Sequence, residues 1–218
     1  MRAAFILVTA SLLPGCAAHR CERSLGPEDA AELLALAEAD QAARSALVQW
    51  SREHPGRMVP PALVRGVTEA DERSRSYLRD LVEAHCWPRA SEVGPEAAHA
   101  AWLLAQHADT DLDLQLRVLE LMEPLVAEGE AAAGDLALLT DRVLVAQGLP
   151  QRYGTQYRSE SIGGVLRFRP ATPIEDPEGI DERRAAAGLP PLAEYEATLR
   201  EAYGIPADAP TLPPPSRD

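Results

Sequence analysis

The chain reads as one mainly α-helical domain carrying a small β-hairpin-like element over residues 151–169. Three observations predict it. Apolar residues recur at helical spacing from about residue 27 to 147. Proline, glycine and aspartate punctuate that stretch as starts and stops. Short β-prone runs come only afterwards.

Pro27-Glu28-Asp29 opens the first helix, with proline in the first turn and acids at its positive end; Leu33, Leu36, Leu47 and Trp50 follow, and His54-Pro55-Gly56 stops it. A second helix is expected from Pro61 to His85, with Val67, Tyr77, Leu78 and Leu81 on its apolar face. Gly94-Pro95-Glu96 starts a third, AAHAAWLLAQHA, which is apolar nearly all round and therefore central. Asp109-Thr110-Asp111 caps a fourth helix, which Pro124 is expected to kink or divide. Asp135 to Gln147 forms the fifth. Gln151–Tyr157 and Val165–Arg169 are the β-prone runs, with Ser161-Ile162-Gly163-Gly164 between them. Ile180–Ala187, closed by Gly188, and Leu192–Tyr203, introduced by Pro190-Pro191, complete the helices. Residues 205–218 are too rich in proline and polar groups to pack, so a disordered tail is expected. The domain proper is then 27–204.

Residues 1–15 carry one basic residue, Arg2, then an uncharged run too short to span a bilayer, Ala3 to Leu13. The segment ends Leu13-Pro14-Gly15-Cys16, which resembles the lipobox of bacterial lipoproteins; Pro14 departs from the Ala, Ser or Thr usual there. The resemblance implies cleavage before Cys16, lipidation of its thiol and a tether over residues 16–26. Ala17 rather than aspartate after the cysteine resembles an outer-membrane address. The expected location is the cell envelope, on the periplasmic face of the outer membrane, with the bilayer as partner through Cys16. Cys21 and Cys86 are either a disulfide, which that compartment permits, or two thiols.

Loss of Arg2 with the leader moves the formal charge from -13 to -14. No basic stripe offsets it, which argues against nucleic acid as a partner. Arginine carries all the fixed positive charge, since the chain contains no lysine.

The candidate site residues are polar groups in apolar elements, because a buried polar group must find partners. His107 closes the third helix, with Gln106 before it and Asp109 two residues on. An imidazole beside a carboxylate is the minimum for a general base with an orienter, and equally a way to fasten a helix end. His99 and His107 are rotated by about 80° on the helix, so they are not a ready metal pair, and no metal or cofactor is expected. Asp141 and Arg142 point about 100° apart and should meet different partners. Arg142 suits either an anion or a structural ion pair. Gln151-Arg152-Tyr153-Gly154-Thr155-Gln156-Tyr157 is the densest polar segment. As a strand it places Tyr153, Thr155 and Tyr157 on one face and Arg152, Gly154 and Gln156 on the other. Gln151, Tyr153, Thr155 and Gln156 suit a polar ligand or a buried network equally. No Gly-x-Ser-x-Gly, P-loop, His-Glu-x-x-His or Cys-x-x-Cys is present.

Trp102-Leu103-Leu104-Ala105-Gln106-His107-Ala108-Asp109, Leu139-Thr140-Asp141-Arg142 and Tyr153-Gly154-Thr155-Gln156, with Asp181-Glu182-Arg183-Arg184 and Gly188-Leu189-Pro190-Pro191, resemble an uncharacterised bacterial family of unknown function over roughly residues 60–200. Cys86 departs from it, since glycine is expected before Trp87-Pro88. The resemblance gathers His107, Asp109, Asp141, Arg142, Tyr153 and Gln156 into one set without assigning a role. Two functional expectations follow. One is a non-enzymatic envelope module binding a polar ligand or protein around Tyr153–Gln156. The other is a hydrolase with His107 as base, oriented by Asp109 or Asp141, with Arg142 and Gln156 holding substrate. A third reading makes the set structural.

Overall fold

The computed structural model describes residues 21, 24–54, 56–84, 86–162, 165–206 and 212. The segment read as a leader, Cys16, Gly163-Gly164 and most of the tail lie outside them. Eight α-helices and one antiparallel hairpin are described, in the order α1 (Pro27–Glu53), α2 (Pro61–Glu83), α3 (Ala90–Val93), α4 (Pro95–Gln106), α5 (Leu112–Ala127), α6 (Ala133–Ala146), β1 (Tyr157–Ile162), β2 (Val165–Pro170), α7 (Ile180–Ala186) and α8 (Leu192–Tyr203). No helix among the described residues is long and apolar enough to cross a membrane.

Proline begins α1, α2 and α4, where its missing N–H costs nothing. Asp111 caps α5, accepting from Leu114 N at 3.2 Å. The apolar α4 is central and touches α1, α2, α3, α5 and α6. Ala97, Ala101 and Ala105 keep its surface thin, so Leu33, Leu78, Leu81, Val118 and Leu139 close in on it from the neighbours. Cys21 and Cys86 are joined by a disulfide that ties the start of the described chain to the loop after α2.

Two expectations change. Of the kinked or divided fourth helix, division is ruled out: α5 runs through Pro124 to Ala127. Pro124 and Glu120 both lie on the exposed side, where the Glu120 carbonyl deprived of its donor can turn to water. Residues 152–156 form no strand, and Gln151 makes only an isolated bridge with Ile174. The alternating-face assignment for 151–157 therefore fails, because their amides bond a side chain rather than a neighbouring strand. True pairing begins at Tyr157, opposite Pro170, and continues to Ile162 opposite Val165. The hairpin lies against α8, where the Tyr157 hydroxyl donates to Glu196 Oε1 at 2.7 Å.

Candidate functional site

The Asp141-Arg142 pair on α6 splits as helical geometry requires. Asp141 is fully buried and accepts from the backbone N–H of Arg152 (2.7 Å), Tyr153 (3.1 Å) and Thr155 (2.9 Å), and from the Thr155 hydroxyl (3.0 Å). Burial pushes its carboxyl up, while these four donors pull it back. The carbonyls of the same loop are held from the other side. Arg183 Nε donates to Arg152 O at 3.0 Å, Arg184 Nη1 to Tyr153 O at 2.6 Å, and the Tyr195 hydroxyl to Thr155 O at 2.9 Å. Arg184 is fully buried, 4.9 Å from the Tyr195 ring centroid, and its burial pulls the guanidinium pKa down. Gln151, also buried, donates to Gln156 O (3.0 Å) and Thr172 O (3.1 Å) and accepts from Gln156 N (2.7 Å). Gly154 turns the loop at φ +63°, and a Cβ there would meet Ile174, Ile180 and Leu192 at 2.9–3.2 Å. Gln156 Nε2 donates to Thr155 Oγ1 at 3.0 Å. Gln151, Thr155 and Gln156, which the sequence offers to a ligand, thus spend most of their polar groups on the chain itself.

Two further clusters meet at the end of α4. Arg142 Nη1 donates to Asp109 Oδ1 at 3.1 Å. With the Gln106 amide oxygen turned toward it, Arg142 also donates through Nε (3.1 Å) and Nη2 (3.3 Å). The His107 imidazole bonds neither the Asp109 nor the Asp141 carboxylate. Its Nδ1 donates to Asp40 Oδ2 at 2.8 Å, a residue of α1 that the sequence reading missed. Asp109 is occupied by Arg142 and Asp141 by the 152–155 loop, so neither orients the imidazole. Asp40 also accepts from Arg44 Nε and Gln41 Nε2, each at 2.9 Å, and Arg44 reaches on to Asp71 at 2.6 Å. Burial alone would raise Asp40, but His107 and Arg44 outweigh it and hold the carboxyl below its ordinary value. Asp71 goes the other way, raised by burial. The imidazole remains 20% exposed over a carboxylate that is 1% exposed. Asp40 had a signal, since it falls on the same helical stripe as Leu33, Leu36 and Ala37, all buried.

An open cleft lies elsewhere, with a volume of about 270 Å³. Trp87, Pro95, Ala98 and Met122 supply apolar walls, and His99, Glu130 and Asp135 line it too. His99 Nδ1 donates to Asp135 Oδ2 at 2.8 Å, and its ring lies 4.8 Å from that of Trp102. Burial pushes Asp135 up against the pull of His99. None of Gln106, His107, Asp109, Asp141, Arg142 or the 151–156 segment lines this cleft. No group of three His, Cys, Asp or Glu among the described residues is placed to hold a metal.

Together these features define a helical domain with a side-chain-clamped loop and one small cleft. The chain belongs to the family of unknown function (DUF6624), which matches residues 27–208. No curated protein and no solved structure matches it.

Proposed function

We propose that the protein is a cell-envelope lipoprotein, held through Cys16 at the periplasmic face of the outer membrane, whose helical domain binds a small ligand without catalysis. Support for the address comes from the lipobox-like Leu13-Pro14-Gly15-Cys16 segment. The observation carrying the binding reading is the cleft itself: an apolar hollow with a few convergent polar groups on one side is how small-molecule sites are built. The Tyr153–Gln156 segment moves from ligand contact to scaffold, because the Tyr153, Thr155 and Gln156 amides and the Thr155 hydroxyl are already engaged. Titration of phenyl, indolyl and imidazolyl fragments, followed by amide chemical shifts, should move Ala98, Ala131 and Ala132. Shifts centred on Arg152–Gln156, or none anywhere, would overturn the reading. For the anchor, mass spectrometry of the native protein should find an acylated Cys16 as the first residue, and a retained Met1 would refute it.

One observation favours a second reading. The partly exposed imidazole of His107 over buried Asp40 has the arrangement of the base–orienter half of a hydrolytic site, with Asp40 in the role first given to Asp109 or Asp141. Hydrolysis of p-nitrophenyl acetate that His107→Ala abolishes at unchanged melting temperature would establish it. A large loss of stability with no activity to lose would make the pair architecture.

A further inference from the structure

The charges around the cleft narrow its occupant, given the reading above that the cleft is a ligand site. Three of its lining side chains are ionisable: His99, Glu130 and Asp135. Glu130 is kept ionised, since the Ser91 backbone N–H (2.9 Å) and hydroxyl (2.8 Å) each donate to it and hold its carboxyl down. Asp135 gives Oδ2 to His99, while its Oδ1 has no hydrogen-bond partner among the described residues. Its side chain is 14% exposed, so this oxygen is a mostly sheltered acceptor with no protein donor of its own. No lysine or arginine lines the cleft, and the nearest ion-paired guanidinium, Arg89, is directed to Glu128 and stands 3.9 Å from Glu130. The field of the chain, at -13, has the same sign. An anion is therefore repelled and a cation welcomed. The lining also includes Trp87, Pro95 and Met122, which suit hydrocarbon or a ring face. At about 270 Å³ the volume sits just below the usual range for drug-sized ligands, enough for one ring and a short arm.

We propose that the cleft takes a small apolar ammonium, its hydrocarbon part against Trp87, Pro95 and Met122 and its N–H groups donating to the open oxygen of Asp135. The ammonium would also counter the burial that pushes the Asp135 carboxyl up.

Three probes of one shape test this on the mature chain: 2-phenylethylammonium, 2-phenylethanol and 3-phenylpropionate, each titrated by calorimetry and by amide shifts. The ammonium should bind about tenfold more tightly than the alcohol, the worth of one charge-assisted hydrogen bond, and the carboxylate most weakly. Asp135→Asn should erase the ammonium's advantage while leaving alcohol binding in place. That variant's fold is checked by circular dichroism, and the wild-type ranking alone decides the matter if it fails to fold. Equal binding of ammonium and alcohol, or preference for the carboxylate, overturns the ammonium assignment while the cleft stands as a site. Absence of binding by all three at Ala98, Ala131 and Ala132 overturns the site itself.

Discussion

Replacing Asp141 by alanine removes one acceptor group from four donors at once: the N–H of Arg152, Tyr153 and Thr155, and the Thr155 hydroxyl. Each donor left unpaired in a dry site costs about 1–3 kcal/mol. Arg183, Arg184 and Tyr195 still hold the loop's carbonyls, so the loop relaxes only in part. The total should fall near the 3–5 kcal/mol typical of stripping one member from a buried charged cluster. For a domain of this size that lowers the melting temperature by on the order of 10 °C. Asp141→Asn keeps one acceptor oxygen but turns an NH2 toward donors, so about 2–3 kcal/mol is expected. Urea unfolding followed by circular dichroism, with an unchanged m-value, measures both. Amide exchange at Tyr153 and Thr155 should quicken in the same variants. A loss under about 1 kcal/mol, or unchanged exchange at those two amides, refutes the clamp and returns Asp141 to the list of groups free for chemistry.

Other consequences can be measured on the same protein. Gly154→Ala should cost about 2–4 kcal/mol, combining left-handed backbone strain with a Cβ pressed on Ile174, Ile180 and Leu192; a neutral substitution would show that the loop yields. Asp40, held below the ordinary 3.8, contributes its full stability above that value and loses it as pH falls through the lower folded value. The gap in urea midpoint between wild type and Asp40→Asn should therefore be constant from about pH 6 to 4 and shrink below it; a gap that ignores acid would refute the His107–Asp40–Arg44 coupling. Cys21→Ser opens a bond across 65 residues and leaves the buried Cys86 in place, so the loop-entropy loss is about 4 kcal/mol. Equal stability of that variant and the wild type without reductant would rule the crosslink out.

The helices were legible because local chemistry marks their ends. Pro27, Pro61 and Pro95 begin three of them, Asp111 caps another, and the termini of α8 coincide with the Leu192–Tyr203 span expected after Pro190-Pro191. The four residues of α3 carry too little periodicity to register. Tyr153 and Thr155 are β-prone, and that local preference misled because Asp141, distant in sequence, takes the amides a strand would have paired. The site suffered the same limitation more severely. His107 was visible as a candidate, but Asp40 lies 67 residues upstream and the motif's own carboxylates stood closer in sequence. The cleft could not be read at all, since His99 on α4 and Asp135 on α6 meet only as those helices pack, and Trp87 and Glu130 join them from two separate loops.

The Cys21–Cys86 bond decides how the domain stands on its support. With the lipid on Cys16, as proposed, four residues would stand between it and the covalent link at Cys21, a span of at most about 18 Å. The domain's own radius of gyration is about 16 Å, so this leash is shorter than the body it holds. On that proposal tumbling would be suppressed, and the end bearing Cys86 and its neighbour Trp87 would be moored nearest the headgroups. Trp87 borders the cleft, so molecules adsorbed on the membrane surface would then meet that end of the protein before any other.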